Sequence, residues 1–544
     1  MIKLTLFYST ILLFTLFSCS SPQKKETRTA FKYNEMGAVT SLDPAAARYF
    51  ENIWVVGQLY NGLVELTDSL TVRPAFAKSW DISTDGLTYT FHLHNGVYFH
   101  DNKCFEATNG KGRQAVASDF VYTFNRLLDP KISGATSLLS FVQEGNGFQA
   151  ANDTTFVIHL KKSFMPFLGI LTMKFFSVIP HEAVEMYGDD FRRNPVGTGP
   201  FQFKMWEEGA KLVLLKNPNY FEREGNDRLP YLDAVAVSFT KDRETSFLNF
   251  LKGELDMVSG IDAINTDQVL TTDGKLKEEF EKSMVLQARP FLKTDYLGFL
   301  LDENVAIAKA SPFQKKAIRQ AINYGFDRKK MVAYLRRNLG TPANAGFIPK
   351  GLPAYDETKV KGYDYDPDKV KKLLKDAGYP GGQGLPEITL AAAEQYLELA
   401  EYIQAQLGEF GIKLKIDVQK PSVLNEAIAN SKVNFFRKSW IADYPDEENF
   451  LALFYSKNWA PAGFNFTHYV NPEFDKLFEL AQAELDHTKR NQYYQQMDQI
   501  VMNDSPIVPL YYDQAVRLVH TNISGLTSNP MNMLSLKRVK KKSN

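Results

Sequence analysis

The chain has 544 residues and a mass of 61.8 kDa, which at roughly 150 residues per domain means three or four folding units rather than one small module. Lys plus Arg total 63 and Asp plus Glu total 63, so no overall basic field exists to hold a nucleic acid. Hydrophobic residues make up 44% and charged residues 23%, enough for a large core and against wholesale disorder.

Lys3 precedes an apolar run over residues 4–17 that is too short to span a bilayer comfortably and has the layout of a secretory signal core. The run ends Leu16-Phe17-Ser18-Cys19 and turns at once into the polar Ser20-Ser21-Pro22-Gln23-Lys24-Lys25. This resembles a bacterial lipobox, with Phe17 where a small or β-branched residue is usual. The resemblance implies a lipoprotein signal peptide over 1–18, lipidation of Cys19 and a flexible tether over 19–29. Plain secretion is the alternative. With Cys19 lipidated, Cys104 is left without a partner, so stability must come from the core rather than a disulfide.

After the leader, residues 30–33 read as a first strand and 53–60 as a short helix ending near Gly62. Asp85-Gly86 is a hairpin signal, residues 89–94 alternate, and Asn95-Gly96 leads into Val97-Tyr98-Phe99, so a β-meander is expected. Ser118-Asp119 offers an N-cap to a helix running through Phe120 and Phe124 to Leu128, and 155–160 is a further strand. The turn-rich Asn194-Pro195-Val196-Gly197-Thr198-Gly199-Pro200 marks a segment boundary. A strand over 211–216 follows, then a helix over 245–251 stopped by Gly253. Ala317, Ile318, Ala321 and Ile322 recur at helical spacing, and a helix over 367–377 is closed by Gly378 and Pro380. Leu399, Ile403, Leu407 and Phe410 form an apolar stripe ended by Gly411, after which Ile412, Leu414, Ile416 and Val418 alternate as a strand. Helix followed by strand is an α/β signature. The closing basic run, 537–542, reads as a solvated tail.

Catalytic and metal chemistry leave little trace. The eight histidines are scattered. His92 and His94 share a strand face without a third ligand nearby, and His181-Glu182 lacks the second histidine of a zinc-protease helix. No G-x-S-x-G elbow, phosphate loop or G-x-G-x-x-G occurs. Asp446-Glu447-Glu448 reads as a solvated turn, with no second catalytic carboxylate placed opposite it. No enzyme activity, metal or cofactor is expected.

Several blocks recur together in one known family. Leu42-Asp43-Pro44-Ala45, Leu59-Tyr60-Asn61-Gly62-Leu63-Val64, Asp85-Gly86-Leu87-Thr88-Tyr89-Thr90-Phe91, Asp119-Phe120-Val121-Tyr122-Thr123-Phe124, Gly197-Thr198-Gly199-Pro200-Phe201 and Ala317-Ile318-Arg319-Gln320-Ala321-Ile322-Asn323 stand in that order. They resemble the dipeptide/oligopeptide-binding proteins of bacterial ABC importers, solute-binding family 5. The resemblance implies an α/β, two-lobed periplasmic-binding-protein fold (type II, cluster C) with an extra subdomain inserted in lobe I. Lobe I would comprise 30–66, 195–290 and 507–540, the insert 67–194 and lobe II 291–506, with hinge crossings near Pro290 and Pro509.

The segment Arg437-Lys438-Ser439-Trp440-Ile441-Ala442-Asp443-Tyr444 is similar to the cleft-lining stretch of the oligopeptide-binding members. By position, Asp443 would pair with a peptide's α-ammonium and Arg437 with its carboxylate, while Trp440 and Tyr444 would line the site. The chemistry is apt, since a zwitterion swallowed between lobes needs an opposite charge at each end, and arginine's planar fork suits a carboxylate. A surface pair or structural bridge is the competing reading for Arg437 and Asp443, and core packing for Trp440. The expected partners are a short peptide, an inner-membrane ABC permease and the membrane through lipid on Cys19. No nucleic acid is expected, the chain would act as a monomer, and its location is the periplasmic or cell-envelope side. The alternatives are the same fold around an oligosaccharide, metal chelate or haem, and, behind them, an extracytoplasmic hydrolase.

Overall fold

The structure, a computed structural model, describes residues 29–260 and 263–542. The leader, Cys19 and the tether up to residue 28 lie outside the described residues.

An 11-stranded mixed sheet is the spine of the molecule. Its two longest strands, Met284–Phe299 and Ile507–His520, run antiparallel at the centre. Residues 284–290 pair with 514–520 and residues 294–298 with 507–512, and the register breaks between Pro290 and Thr294. Pro290 has no N–H for the ladder, and a bulge lets each strand turn between its two ends. One end of the pair continues through Met257–Ser259, Ala30–Asn34, Ala234–Ser238, Lys211–Lys216 and Phe201–Glu207. The other continues through Phe435–Ile441, Ile388–Ala393 and Leu414–Gln419. Two half-sheets are thus joined through this strand pair.

Burial follows the same division. Phe31, Val55, Phe120, Phe176 and Val235 belong to one core, whereas Leu297, Ile318, Ile403 and Phe435 belong to another. Beside the first half lies a separate antiparallel sheet, ordered Ala77–Ile82, Thr88–Leu93, Thr155–His159, Phe148–Asn152. The Ala117–Arg126 helix packs on it through Phe124, whose ring lies 5.2 Å from Phe156 and 5.3 Å from both Phe148 and Phe176. Edge-on and tilted ring contacts of this kind add to the burial of large apolar side chains.

Most expected elements are present: Ala30–Asn34, Phe50–Leu59, Lys211–Lys216, Lys316–Tyr324, Pro367–Asp376, Leu397–Gly408 and Leu414–Gln419. The Pro367 helix shows why. Asp366 accepts from the Lys369 N–H at 3.1 Å, and Pro367 occupies the first turn, where its missing N–H costs nothing.

Three local expectations are corrected. Residues 97–99 do not complete a meander. Tyr98 makes only an isolated bridge to Gln114, and Thr155–His159 takes the place beside Thr88–Leu93, with Phe156 and Ile158 fully buried. Asp119 is not the N-cap. The cap is Val116, and Asp119, a turn further in, accepts from the Val116 N–H at 2.9 Å while binding the Arg113 guanidinium at 2.7 and 2.9 Å. The terminal basic run is docked rather than solvated. Lys537 is 4% exposed, 2.6 Å from Glu222 and 2.9 Å from Glu65, and Lys541 lies 2.8 Å from Asp256. Charge pairing and the fully buried Val539 anchor a segment that composition alone assigns to solvent.

Candidate functional site

A cavity of about 370 Å³ opens where the two halves meet, at the small end of the roughly 300–1,000 Å³ spanned by ligand sites. The first half supplies the end of the Phe50–Leu59 helix, the Tyr60-Asn61-Gly62 turn, parts of 64–75 and 172–174, and the late stretch 525–538. The second half supplies Asp443.

The turn at Asn61 is held from behind by 197–199. The Gly199 N–H donates to the Leu59 carbonyl at 2.9 Å, and Thr198 Oγ1 donates to Asn61 Oδ1 at 3.1 Å. A Cβ at Gly197 or Gly199 would run into the Leu59 carbonyl, so glycine is required there by close backbone approach.

The segment 437–444 separates into outward and inward roles. Asp443 borders the cavity, where water reaches its side chain. The protein packed around it nevertheless raises its pKa by desolvation, partly offset by a hydrogen bond with Asn449. No ion pair among the described residues includes Asp443. Asn449 Oδ1 accepts both the Trp440 Nε1–H at 2.9 Å and the Asp443 backbone N–H at 3.2 Å, so one amide fixes both groups. Trp440 is half-buried and tilted against the exposed Phe464 ring at 5.1 Å.

Arg437 does not border this cavity. It pairs with the fully buried Asp295 on the neighbouring strand and lies over the Tyr396 ring at 3.1 Å. Burial lowers its pKa to about 10. Asp295 also meets Lys293 at 3.1 Å, and Lys293 and Arg336 share Asp513 at 2.7 and 2.6 Å. Arg437 is thus one member of a charge network across the two central strands. Tyr444 turns its hydroxyl to Glu448 and buries its ring in the core of the first half.

Asp446-Glu447-Glu448 is not a solvated turn. The three are 7%, 3% and 6% exposed. Asp446 accepts from Tyr494 at 2.8 Å and faces Arg490 at 3.5 Å, and Glu447 accepts from the Ala354 N–H at 2.6 Å. Burial pushes the Glu447 and Glu448 pKa values to about 7. These acids therefore hold the segment in place and leave Asp443 as its cavity-facing charge. His92 pairs with Asp81 at 2.7 Å, and among the described residues no group of His, Cys, Asp and Glu could hold a metal. Cys104 is buried with its thiol pushed up to about 11, an inert rather than a reactive cysteine.

Residues 71–462 match the model of the bacterial extracellular solute-binding proteins, family 5 Middle. The chain belongs to that family. It is 28% identical to heme-binding protein A of Haemophilus influenzae, with 87% of this chain and 85% of the relative covered. It is 26% identical to the dipeptide-binding protein of Escherichia coli, with 87% of each covered. Among solved structures it resembles the ABC transporter-associated periplasmic binding protein DppA from Helicobacter pylori in complex with peptide STSA. The TM-score is 0.76 at 26% identity, over 95% of this chain and 99% of that one. The α/β architecture is thus that of the family 5 periplasmic binding proteins, and the chain is a solute-binding protein rather than an enzyme. Among the described residues no helix is long and apolar enough to cross a membrane.

Proposed function

We propose that this protein is the extracytoplasmic receptor of an ABC importer, that it closes around short peptides, and that it delivers them to a membrane permease. Lobe I is taken as 30–66, 195–290 and 507–540, its inserted subdomain as 67–194 and lobe II as 291–506, with the crossings near Pro290 and Pro509. The leader would export the chain, lipid on Cys19 would tether it at the cell envelope, and it would work as a monomer.

The observation that carries the peptide reading is Asp443, a carboxylate with no ion-pair partner among the described residues that borders a small cavity at the meeting of the two halves. A peptide's α-ammonium is the cation that would complete it. Trp440, fixed by the same Asn449, would stand beside the first side chain. Arg437 and Tyr444 would support the segment through Asp295 and Glu448. The dipeptide-binding relative and the peptide held by the Helicobacter pylori protein favour the same guest. The cavity's size favours a short peptide over a large macrocycle.

Titration calorimetry of the mature protein with a free tripeptide tests this, with mass spectrometry of co-purifying small molecules beside it. Micromolar binding, about −8 kcal/mol, is expected. Tight binding of haemin or an oligosaccharide with no response to peptides would overturn the proposal.

A further inference from the structure

Among the described residues, the charges around the cavity leave one cation without a direct ion pair, and it lies outside the 437–444 segment. Four basic side chains border the cavity: Arg73, Lys174, Lys537 and Arg538. Arg73 is held by Glu65 at 2.5 Å. Lys537 is held by Glu65 and Glu222, and Arg538 by Glu224 at 3.3 Å and Glu222 at 3.7 Å. The Lys174 ammonium makes no hydrogen bond or ion pair with any described residue, although its backbone carbonyl accepts from the Ser177 N–H at 3.2 Å. Its stem passes the Phe50–Leu59 helix at Gly57, where even a methyl group would come within 3.3 Å of its Cε.

Lys174 is half-buried. Desolvation lowers its pKa, and the pull of Glu65 is opposed by the push of Lys537. An unpaired ammonium in such a place costs free energy that an incoming anion would recover. Glu65 is already taken by Arg73 and Lys537, Asp68 lies at the exposed rim and accepts from Thr527 Oγ1 at 3.0 Å, and Asp443 has no cation. Among the described residues, one unpaired ammonium and two carboxylates without a cation, Asp443 and the rim residue Asp68, therefore border one cavity; of the two acids, only Asp443 is carried by the other half.

We infer that Lys174 receives the α-carboxylate of the peptide whose ammonium docks on Asp443, so that the carboxylate site belongs to the 172–174 stretch rather than to Arg437. This rests on the peptide reading above and adds which residue fixes the guest's far end. A lysine is a mobile point charge on a four-carbon stem, not a rigid fork. It can follow a carboxylate whose position shifts with peptide length, so di- and tripeptides would both be held.

The test is a cycle of two proteins and two ligands, with the wild-type chain and K174Q each titrated with a free tripeptide and its C-terminal amide. Amidation should weaken the wild-type protein about 10- to 100-fold, the range of a charge-assisted hydrogen bond. K174Q should bind the free acid about as weakly as wild type binds the amide, with little further loss on amidation, and K174R should restore most of the discrimination. Equal amidation penalties in wild type and K174Q, or none in wild type, would overturn the assignment while leaving the peptide reading intact. Absence of tripeptide binding by wild type would overturn both. A crystal structure of the wild-type complex decides the point even if K174Q fails to fold. A guest carboxylate within about 3.2 Å of Lys174 Nζ supports it, and one held by other residues refutes it.

Discussion

Replacing Asp443 by Asn tests the recognition chemistry most directly, because it keeps the shape and removes the charge. An ammonium nitrogen about 3 Å from a carboxylate oxygen is attracted by roughly 5 kcal/mol at an effective dielectric constant of about 20. Part of that is offset, since water reaches Asp443 in the empty cavity and must be displaced on binding. A net loss of about 2–3 kcal/mol, or ~30- to 150-fold in affinity, is expected for a free tripeptide. Calorimetry near pH 7.5 reads it, with an N-acetylated tripeptide as control. The acetylated guest lacks the ammonium, so it should bind wild type weakly and lose little more in D443N. The sign of the pH dependence follows from the raised pKa of Asp443. The ionised form is the one that attracts an ammonium, so affinity should fall as the pH drops through that raised value, earlier than for an ordinary aspartate. The reasoning is refuted if D443N, folded normally, binds the free tripeptide as tightly as wild type, or if acetylation costs wild type nothing.

Arg437→Gln should behave differently. It breaks a buried ion pair with Asp295, so unfolding free energy measured in denaturant should drop by about 3–5 kcal/mol while the folded fraction keeps nearly wild-type peptide affinity. A large affinity loss at unchanged stability would instead make Arg437 a ligand contact. Glu35 is 8% exposed and burial lifts its pKa from 4.5 to about 8, with Glu51 adding to the lift and Arg517 opposing it. The folded state then binds this proton more tightly, so its contribution is full below pH 4.5 and is lost as pH rises towards 8, by up to about 5 kcal/mol. E35Q should flatten the fall in melting temperature over that window, and an unchanged slope would contradict the assignment. Phe156→Ala empties the centre of the aromatic cluster around Phe124 and should cost about 3–5 kcal/mol in denaturant unfolding. A cost below about 1 kcal/mol would mean that the small sheet does not unfold with the rest.

What was legible from sequence was what short-range physics decides. Asp366-Pro367 and the 399–407 stripe specify a helix wherever they occur, and the alternation after Gly411 specifies a strand. The third strand beside Thr88–Leu93 was not legible, because the two candidate partners, 97–99 and 155–159, share the alternating pattern and each buries two apolar residues, so only the long-range pairing separates them. Nor was the fate of the charges. Lys537 and Glu65 are 472 residues apart and meet at 2.9 Å, which no window on the sequence reveals. The same blindness covered the site. The motif singles out Asp443, which borders the cavity, whereas Lys174 sits in an unremarkable Met173-Lys174-Phe175 context and stands out only once every other cation at the cavity has found its acid.

The placement of Asp443 and Lys174 bears on how a binding protein closes. A ligand shifts a conformational equilibrium only by the difference between its affinities for the two states. A guest held by one half alone would bind open and closed forms alike and drive nothing. Asp443 is carried by the half that contains Phe435–Ile441, and Lys174 lies with the half that contains Ala30–Asn34. Under the peptide reading, a zwitterion that satisfied both would bridge the halves, so its two end charges would supply affinity and closure together. Blocking either terminus should then cost more than one hydrogen bond, because it also removes the link that makes the closed form preferred. The network of Lys293, Asp295, Asp513, Arg336 and Arg437 stands on the central strands through which the halves are joined. With its charges already paired, it would keep that crossing rigid without competing for the guest.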